Sequence, residues 1–290
     1  MITVLTPTYN RADLLCRLAE SLCAQKDKDF EWLVIDDGSS DNTSTVIEHY
    51  KDICDFPVHY IYKKNEGKHS ALNLGFRHAR QDWIFIVDSD DWIRDDCIEK
   101  IKSSLKDVDS NVAALSLLKG YPNGKVIGDS FSSDLGTYID RIECGIKGDK
   151  ADVLNKKALR AFQFPVFVGE KFMPESPLFI FLGKNYKTKF VNYLGYVCEY
   201  QSGGLSEQSI LNRHKCYNST LYVYETQYKA LNSSLLRQKA AINWWRFRVG
   251  KAFVTQKKSP NKYFLPVGAV LFVVDFILLG PKIINTHKVM

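Results

Sequence analysis

The chain has 290 residues, 45% of them hydrophobic and 25% charged, and carries a formal net charge of +6 at pH 7. This balance is that of an ordinary folded protein and excludes a disordered chain. The mild positive charge favours an anionic substrate or an anionic membrane surface over sequence-specific nucleic-acid binding. Seven scattered cysteines without a C-x-x-C pair, and a strand-like start without a signal-peptide pattern, predict a cytoplasmic protein with reduced thiols.

Short apolar segments alternate with amphipathic ones through residues 2–87, which is the pattern of βαβ units. Strands are predicted at residues 2–6, 30–35, 58–62 and 83–87. Helices are predicted between them, at residues 11–25 with Asn10 as N-cap, from the Ser40–Asp41 turn to Tyr50, and at residues 70–79. A largely parallel sheet follows, and such sheets bind ligands at the carboxyl ends of their strands.

Polar residues follow each of these four strands and should therefore line one cleft. They are Thr8 and Tyr9, Asp36 and Asp37, Gly67 and Lys68, and Asp88, Asp90 and Asp91. The last three carboxylates end an apolar strand, where mutual repulsion and lost hydration require a cationic partner. A hard divalent ion that shares its oxygen ligands with a substrate phosphate is one such partner. The other interpretation is a solvated acidic turn that caps a helix predicted at residues 94–105.

The commonest phosphate-binding loops are absent from the sequence. No G-x-G-x-x-G follows the first strand, and Gly67-Lys68 lacks the upstream glycine of a P-loop. A dinucleotide-dependent oxidoreductase and a P-loop NTPase are therefore disfavoured.

Four segments occur in the order and at the separations of a known family. They are TPTYNR at 6–11, IDDGSSDNT at 35–43, NEGKHSALNLG at 65–75 and VDSDDW at 87–92. Together they resemble the inverting family-2 glycosyltransferases of bacterial capsule and cell-surface polysaccharide synthesis. The resemblance implies the GT-A fold, an α/β architecture with a Rossmann-like, mixed and mostly parallel central sheet flanked by helices. It also implies a catalytic domain over residues 1–206, with a nucleotide-binding half at 1–110 and an acceptor-binding half at 111–206, and a helical extension over 207–290.

The resemblance assigns roles to residues of the cleft. Nucleotide binding falls to Pro7, Thr8, Tyr9, Asn10, Asp36, Asp37, Gly67, Lys68, Asp88 and Ser89, and a divalent metal, Mn²⁺ or Mg²⁺, to Asp90 and Asp91 with Asp88. The chemistry agrees, because a carboxylate accepts the imide N–H of uracil, an aromatic ring packs on its face and a metal neutralises a diphosphate. Structural interpretations stand beside these: Tyr9 as a partly buried aromatic, Asp37 as a helix cap and Lys68 as a solvated loop cation.

Inverting transfer requires a base on the face of the sugar opposite the leaving group, within reach of the acceptor hydroxyl. Glu170 and Glu175 are the candidates, because both lie in residues 164–186, where a helix is expected to begin. In the family the base belongs to an acidic pair ahead of a Lys-Tyr or similar pair, and counting back from Tyr186 favours Glu175. Alternatively, both glutamates cap the helix or pair with Lys171.

The second half of the chain carries weaker signals. Strands are predicted at residues 111–117, 125–127 and 189–200, a turn at 121–124, an acceptor-side loop at 130–150 and a surface basic cluster at 213–215. Glycines in residues 201–206 predict a loop that closes over a diphosphate, with an ordinary linker as the alternative.

The C-terminal tail combines aromatic and basic residues at 244–251 with an apolar run at 264–279, bracketed by Lys257, Lys258, Lys262 and Lys282. The run is shorter than the ~20 residues that span a bilayer, and Asp275 would be costly in hydrocarbon. We expect an in-plane or re-entrant anchor on the cytoplasmic face of the plasma membrane. A true span is one alternative, and a helix packed on the catalytic domain or on a dimer partner is the other.

These features predict transfer of a sugar from a nucleoside-diphosphate donor, with a UDP-sugar favoured, to a hydroxyl of a glycan or lipid-linked glycan, with inversion. Two alternatives come from other classes. A metal-dependent phosphatase of the haloacid dehalogenase type also has D-x-D after a strand, but there a small hydroxyl residue usually follows, whereas here Trp92 follows. A non-catalytic nucleotide-sugar-binding scaffold would keep the cleft without a base. Nucleic acid is not an expected partner, and the sequence does not predict the oligomeric state.

Overall fold

The computed structural model describes residues 2–199, 208–249 and 260–279 of the chain. The chain divides into two units, the first Met1–Phe164 with Phe181–Gln201 and the second Pro165–Ile180 with Ser202–Met290. The predicted glycine loop at 201–206, and Lys257, Lys258 and Lys282 beside the apolar run, lie outside the described residues. The division into a catalytic domain ending at residue 206 and a helical extension stays a prediction.

A mixed β-sheet runs through the first unit. Its strands are β1 (Ile2–Thr8), β2 (Phe30–Asp36), β3 (Val58–Tyr62), β4 (Trp83–Ile86), β5 (Trp92–Ile93), β6 (Val112–Gly120), β7 (Leu135–Gly136), β8 (Lys150–Asn155) and β9 (Lys187–Val197). Their order is β3-β2-β1-β4-β8-β6-β9-β5, with β7 paired to β9. β1 is parallel to β2 and β4, and β2 to β3, whereas β8 is antiparallel to both β4 and β6. The predicted mixed sheet of an α/β protein is confirmed.

Helices connect the strands and cover the sheet. Up to β9 they are α1 (Ala12–Cys23), α2 (Thr43–Ile53), α3 (Lys68–His78), α4 (Cys97–Leu105), α5 (Tyr138–Glu143), α6 (Lys156–Leu159) and α7 (Ser176–Asn185). Every residue of β1 and β2 is buried, as expected for central parallel strands covered on both faces. Leu15, Leu18 and Leu22 of α1 are fully buried in the same core as Trp32 and Phe85.

The predicted N-cap role of Asn10 is wrong. Asn10 has a φ of 50°, in the left-handed region that asparagine tolerates, and the N-cap position of α1 falls on Arg11. The side chain of Asn10 instead accepts the Ser40 N–H at 2.8 Å, while Asp41 accepts the Ala12 N–H at 3.0 Å. The loops after β1 and β2 are thereby tied together, and the first turn of α1 is capped from a neighbouring loop.

Three predictions after β4 are corrected. Residues 130–150 are not a plain loop, since they contain β7 and α5, and α5 begins with a capping box between Thr137 and Asp140. The strand predicted at 125–127 is reduced to one bridge between Gly120 and Val126. The helix predicted from residue 94 begins at Cys97, because Trp92–Ile93 first pairs with β9 as β5.

The second unit is helical beyond residue 208. Its described elements there are α8 (Ser209–Lys215), α9 (Tyr217–Ala230), α10 (Ser234–Arg248), a 3₁₀ turn (Lys262–Phe264) and α11 (Leu265–Leu279). α9 and α10 pack through Tyr217, Leu221, Trp244 and Phe247. α11 approaches α10 so closely at Gly268 that an added Cβ would meet the Cβ of Trp245 at 2.5 Å.

Asp275 attaches α11 to the rest of the second unit. It is 2% exposed, Arg246 Nε donates to its Oδ2 at 2.7 Å, and His214 Nε2 lies 3.0 Å from the same oxygen. His214 is therefore buried in an ion-pair cluster and not, as predicted, on a basic surface. Among the described residues, Lys262–Leu279 is long and apolar enough to cross a membrane by length and composition alone. Several of its apolar side chains are exposed, among them Val270, Ile277 and Leu278 at 62%, 73% and 76%.

Candidate active site

The polar residues that follow β1 to β4 come together at the carboxyl edge of the sheet. Thr8 is in register with Asp36, and the Asp37 N–H donates to the Thr8 carbonyl at 2.8 Å. Lys68 Nζ, from the start of α3, lies 2.6 Å from Asp88 Oδ1. The structure therefore joins the four strand ends that the sequence predicts to line one cleft.

The loop after β1 exposes Tyr9 and buries its neighbours. Pro7 and Thr8 are buried, and the Thr8 hydroxyl has no hydrogen-bond partner within the described residues. A buried hydroxyl without a partner at the carboxyl edge of a sheet can form a hydrogen bond with a polar atom of a ligand. Tyr9 is 47% exposed, so its ring is available to pack against a flat group.

Both carboxylate oxygens of Asp36 accept hydrogen bonds from neighbouring residues. Its Oδ1 accepts the Ser39 N–H at 2.7 Å, and its Oδ2 accepts the Tyr60 hydroxyl at 2.6 Å. Burial and the bond to Asp36 raise the pKa of Tyr60, so that the phenol remains a donor. Asp36 thus fixes the turn after β2.

Asp37 organises the loop that leads into α3. Its Oδ1 accepts Lys63 Nζ at 2.7 Å and the Glu66 N–H at 3.0 Å, and its Oδ2 accepts the Gly67 N–H at 2.7 Å. Gly67 has a φ of 97°, a conformation that glycine adopts without a side-chain clash. A carboxylate offers about four acceptor positions, so Asp37 keeps acceptor capacity for a ligand while it positions Lys68.

Two carboxylates of the loop formed by residues 88–91, here the Asp88–Asp91 loop, are paired with cations of the protein. Lys68 contacts Asp88 at 2.6 Å and Arg11 contacts Asp90 at 3.0 Å, and these four side chains are 28–30% exposed. Burial opposes ionisation of Asp88, but Lys68 and Lys119 outweigh it and hold the pKa of Asp88 below its ordinary value. Part of the cationic charge that the sequence requires here is therefore supplied by the chain itself.

Asp91 has a different environment. It is 7% exposed, and the Tyr196 hydroxyl donates to its Oδ2 at 2.7 Å. Burial raises the pKa of Asp91 to about 7, and the carboxylates of Asp88 and Asp90 add to this effect. Ser89, between them in sequence, is buried. At neutral pH a proton on Asp91 is therefore easily displaced by a cation.

The donor set fits a divalent cation that a ligand helps to hold. Within the described residues, no group of three or more His, Cys, Asp or Glu side chains forms a self-sufficient metal cage. Mg²⁺ and Mn²⁺ are nevertheless often bound by one or two carboxylates, with waters and substrate phosphates completing the shell. The raised pKa of Asp91 supports the fit, because a cation would relieve the repulsion that causes part of it.

Four residues of this site are not assigned a role by the sequence. Arg11 is the last residue of the TPTYNR segment, but that segment does not predict its contact with Asp90. The guanidinium of Arg17 lies 4.0 Å from the ring centroid of Trp92, which follows the loop. Lys119 and Tyr196 come from β6 and β9, and only the pairing of distant strands brings them near the loop.

The two candidate bases lie in the second unit and differ in their surroundings. Glu170 is 5% exposed, and its two oxygens accept the N–H groups of Asn218 and Ser219, both at 2.7 Å. These backbone donors lie in the first turn of α9, so Glu170 caps that helix. Glu175 is partly exposed and directly precedes α7, where its carbonyl accepts the Leu178 N–H at 3.0 Å.

Comparison with known sequences finds one family and a set of relatives that match only in part. The family model described as "Glycosyl transferase family 2" matches residues 3–149, just over half of the chain. An uncharacterized glycosyltransferase of Rickettsia felis is 39% identical over 110 residues, which are 38% of this chain and 17% of that protein. In this relative and in seven others the matched region spans less than half of the relative's length.

Solved structures share the fold over nearly the whole chain. S. aureus TarS 1–349, in complex with UDP-GlcNAc, aligns with a TM-score of 0.66 at 17% identity, covering 98% of this chain and 79% of that one. The mannosyltransferase PcManGT from Pyrobaculum calidifontis, in complex with GDP-Man and Mn²⁺, gives 0.57 at 19% identity, covering 99% of this chain and 83% of that one. At these identities the likeness shows the fold, and it confirms the predicted GT-A architecture. With its strand-end motifs at one edge of this fold and a family match over residues 3–149, the chain belongs to glycosyltransferase family 2.

Proposed function

We propose that the protein transfers a sugar from a UDP-sugar donor to an acceptor hydroxyl with inversion. The observation that carries the proposal is the meeting of four strand-end segments at one sheet edge, in a chain of glycosyltransferase family 2. A neighbour in fold was solved with UDP-GlcNAc, which supports a UDP-sugar as the donor. The acceptor is proposed to be a glycan or lipid-linked glycan of cell-surface polysaccharide synthesis.

The nucleoside is proposed to bind between the loops after β1 and β2. The exposed ring of Tyr9 can stack on the base, and the unpartnered hydroxyl of Thr8 can take a polar atom of the nucleoside. Asp37 keeps acceptor capacity beyond its three bonds to the following loop, and this suits the imide N–H of uracil.

The diphosphate is proposed to bind at the Asp88–Asp91 loop. Asp90 and Asp91, with Asp88, would hold Mn²⁺ or Mg²⁺, and Lys68 and Arg11 would turn from the carboxylates toward phosphate oxygens. When bound, the cation supplies positive charge that stabilises the departing diphosphate. The Mn²⁺ bound with GDP-Man in PcManGT supports a metal of this class.

Glu175 is proposed as the base that removes the proton of the acceptor hydroxyl. Both carboxylate oxygens of Glu170 are already bonded to the start of α9, and their removal from that helix would leave buried N–H groups unsatisfied. Glu175 is partly exposed and lies directly before α7. A partly exposed carboxylate at a helix start can exchange its proton with solvent after each turnover.

The donor site is tested by calorimetric binding of UDP, GDP, dTDP and CDP, with and without Mn²⁺. We expect the wild type to bind UDP best and to require Mn²⁺ for tight binding, and Asp90→Asn to lose the metal-dependent part. Asp29→Asn is the matched control, because it removes an exposed carboxylate paired with Lys102 just before β2, at the opposite edge of the sheet. Failure of the wild type to bind any nucleotide in a metal-dependent way would overturn the proposal. Phosphate release from simple phosphoesters would then favour a phosphatase.

The base is tested by release of UDP from UDP-sugars, with water as the acceptor where no other is known. Glu175→Gln should bind UDP like the wild type and lose at least about 100-fold in turnover, the usual contribution of a general base. Glu170→Gln is the control, and its turnover should stay within a few-fold of the wild type after correction for the folded fraction. Equal turnover of Glu175→Gln and wild type would exclude Glu175 as the base. A wild type that binds UDP but releases none from any donor would favour a scaffold.

Contact with the cytoplasmic face of a membrane is proposed through α11. Asp275, which would be costly in lipid, is buried against Arg246, while apolar side chains elsewhere on the helix are exposed. Leu278→Asp should weaken pelleting with phosphatidylglycerol vesicles, whereas Leu235→Asp, at a 60% exposed leucine of α10, should not. Equal pelleting of both variants would contradict the proposal, and concentration-dependent dimerisation lost in Leu278→Asp would show that a second copy covers this face.

A further inference from the structure

One buried tyrosine links the two ends of the Asp88–Asp91 loop. Tyr196, on β9, is fully buried, and its hydroxyl accepts the Asp88 N–H at 3.0 Å while donating to Asp91 Oδ2 at 2.7 Å. A phenol has one proton to donate, so this pair of bonds fixes its direction toward the carboxylate. The tyrosine thus connects the backbone at the start of the loop to the carboxylate at its end.

The ring of Tyr196 is itself held in place. Phe85 of β4 packs edge-on with a centroid separation of 6.2 Å, and Lys119 Nζ lies 4.1 Å from the ring centroid. Tyr196 also pairs with Ile93 where β5 runs antiparallel to β9. Because the ring has no exposed surface and its strand is paired, the hydroxyl presents a fixed point to which the loop is attached.

We propose that Tyr196 is a positioning residue for the metal, in that its hydroxyl holds the Asp91 carboxylate in the orientation that binds the cation. The inference rests on the proposed function of the Asp88–Asp91 loop. Tyr196 does not touch the donor, since it is fully buried, and it acts through Asp91. Hydrogen-bond partners of metal ligands orient those ligands, and their loss typically lowers metal affinity by about 10-fold to 100-fold.

A second tyrosine of β9 provides a matched control. The hydroxyl of Tyr193 donates to Asp96, just before α4, so Tyr193→Phe removes a Tyr–Asp hydrogen bond from the same strand but away from the loop. Tyr196→Phe and Tyr193→Phe each delete one oxygen from a packed ring. They differ in whether the carboxylate that loses its donor belongs to the proposed metal site.

The test measures UDP binding by calorimetry as a function of Mn²⁺ concentration in the wild type and both variants, with circular dichroism as the check of folding. We expect Tyr196→Phe to need about 10-fold more Mn²⁺ for half-saturation, with UDP affinity in the absence of metal unchanged. Tyr193→Phe should keep the wild-type metal dependence. Incorporation of 4-aminophenylalanine at position 196 restores a donor on the same ring and should recover most of the metal affinity. Should Tyr196→Phe fail to fold, a folded 4-aminophenylalanine variant that needs about 10-fold more Mn²⁺ than the wild type would overturn the positioning role.

The possible outcomes separate this inference from the proposed function. If Tyr196→Phe has the metal dependence of the wild type, or if it weakens binding equally with and without Mn²⁺, the positioning role is overturned. The same holds if Tyr193→Phe shifts the metal dependence as much as Tyr196→Phe, or if a folded 4-aminophenylalanine variant stays as defective as Tyr196→Phe. A wild type without metal-dependent UDP binding would instead overturn the proposed function.

Discussion

Replacement of Asp91 by asparagine is expected to stabilise the protein while it removes metal-dependent donor binding. The carboxylate is 7% exposed, and burial together with the nearby Asp88 and Asp90 raises its pKa to about 7. An asparagine oxygen can accept the Tyr196 hydroxyl that donates to Asp91 at 2.7 Å. Asp91→Asn therefore removes a disfavoured charge and keeps the hydrogen bond, a pattern typical of functional residues that cost stability.

The size of this gain follows from proton linkage. The folded protein keeps a proton on Asp91 up to about pH 7, whereas the unfolded chain releases it near the ordinary pKa of 3.8. Between these values the native state binds more protons than the unfolded state, so the free energy of unfolding of the wild type falls as pH rises. The cost of ionising Asp91 reaches at most about 4 kcal/mol above pH 7 and is about 1 kcal/mol at pH 4.5.

Urea denaturation of the metal-free wild type and Asp91→Asn at pH 4.5 and pH 8 measures this effect. The stability advantage of the variant should be larger at pH 8, by up to about 3 kcal/mol. Asp29→Asn is the control, because Asp29 is an exposed carboxylate paired with Lys102 just before β2, and its loss should cost up to about 1 kcal/mol at either pH. An advantage of Asp91→Asn that does not grow with pH, or a destabilisation at pH 8, would refute the reasoning.

Three further substitutions test the packing described above. Glu170→Gln should lower the free energy of unfolding by about 1–2 kcal/mol in urea denaturation, because α9 loses two charge-assisted bonds. Asp275→Asn should cost about 3 kcal/mol, since Arg246 loses its buried counter-ion, and thermal unfolding should show it as a lower Tm. Gly75→Ala should cost about 1–3 kcal/mol in urea, because the added Cβ would meet Leu5 Cδ1 at 2.4 Å.

Control variants test whether these particular contacts cause the losses of stability. Glu225→Gln removes the partner of an exposed lysine, Lys229, on α9 and should change stability by less than about 0.5 kcal/mol. If it costs as much as Asp275→Asn, burial is not the reason for the loss. Leu5→Val in the Gly75→Ala background should recover part of the loss, and an additive further loss would show that the clash with Leu5 is not its cause.

The elements that were predicted correctly are those that a local sequence pattern determines. Apolar segments of strand length, interrupted by helical ones, are sufficient to place β1 to β4, and parallel pairing then brings their carboxyl ends together. Asn10 was misassigned because its local sequence suits an N-cap, whereas the helix is capped by Asp41 from the next loop. A side chain that caps another segment carries no signal in the sequence of either segment.

The partners of the buried charges could not be predicted for the same reason. Tyr196 lies 105 positions from Asp91, and His214 lies 61 positions from Asp275. The sequence showed that Asp275 would be costly in hydrocarbon, and it showed that the carboxylates of the Asp88–Asp91 loop require cations. It did not show that Tyr196 of β9 contacts Asp91 or that His214 of α8 contacts Asp275. Those contacts depend on tertiary packing rather than on periodicity.

Charge balance accounts for the proposed role of the Asp88–Asp91 loop with and without a bound donor. Without donor, Lys68, Arg11 and Lys119 offset the carboxylates of the Asp88–Asp91 loop, which is why the pKa of Asp88 stays low. A divalent cation and the diphosphate of a nucleotide sugar carry opposite charges of similar size, so their joint binding leaves the total nearly unchanged. In the proposed function the pairing changes, because the carboxylates would turn to the metal and Lys68 and Arg11 would turn to phosphate oxygens. Nucleotide without metal, or metal without nucleotide, leaves one set of charges unpaired, and we therefore expect each ligand to strengthen the binding of the other.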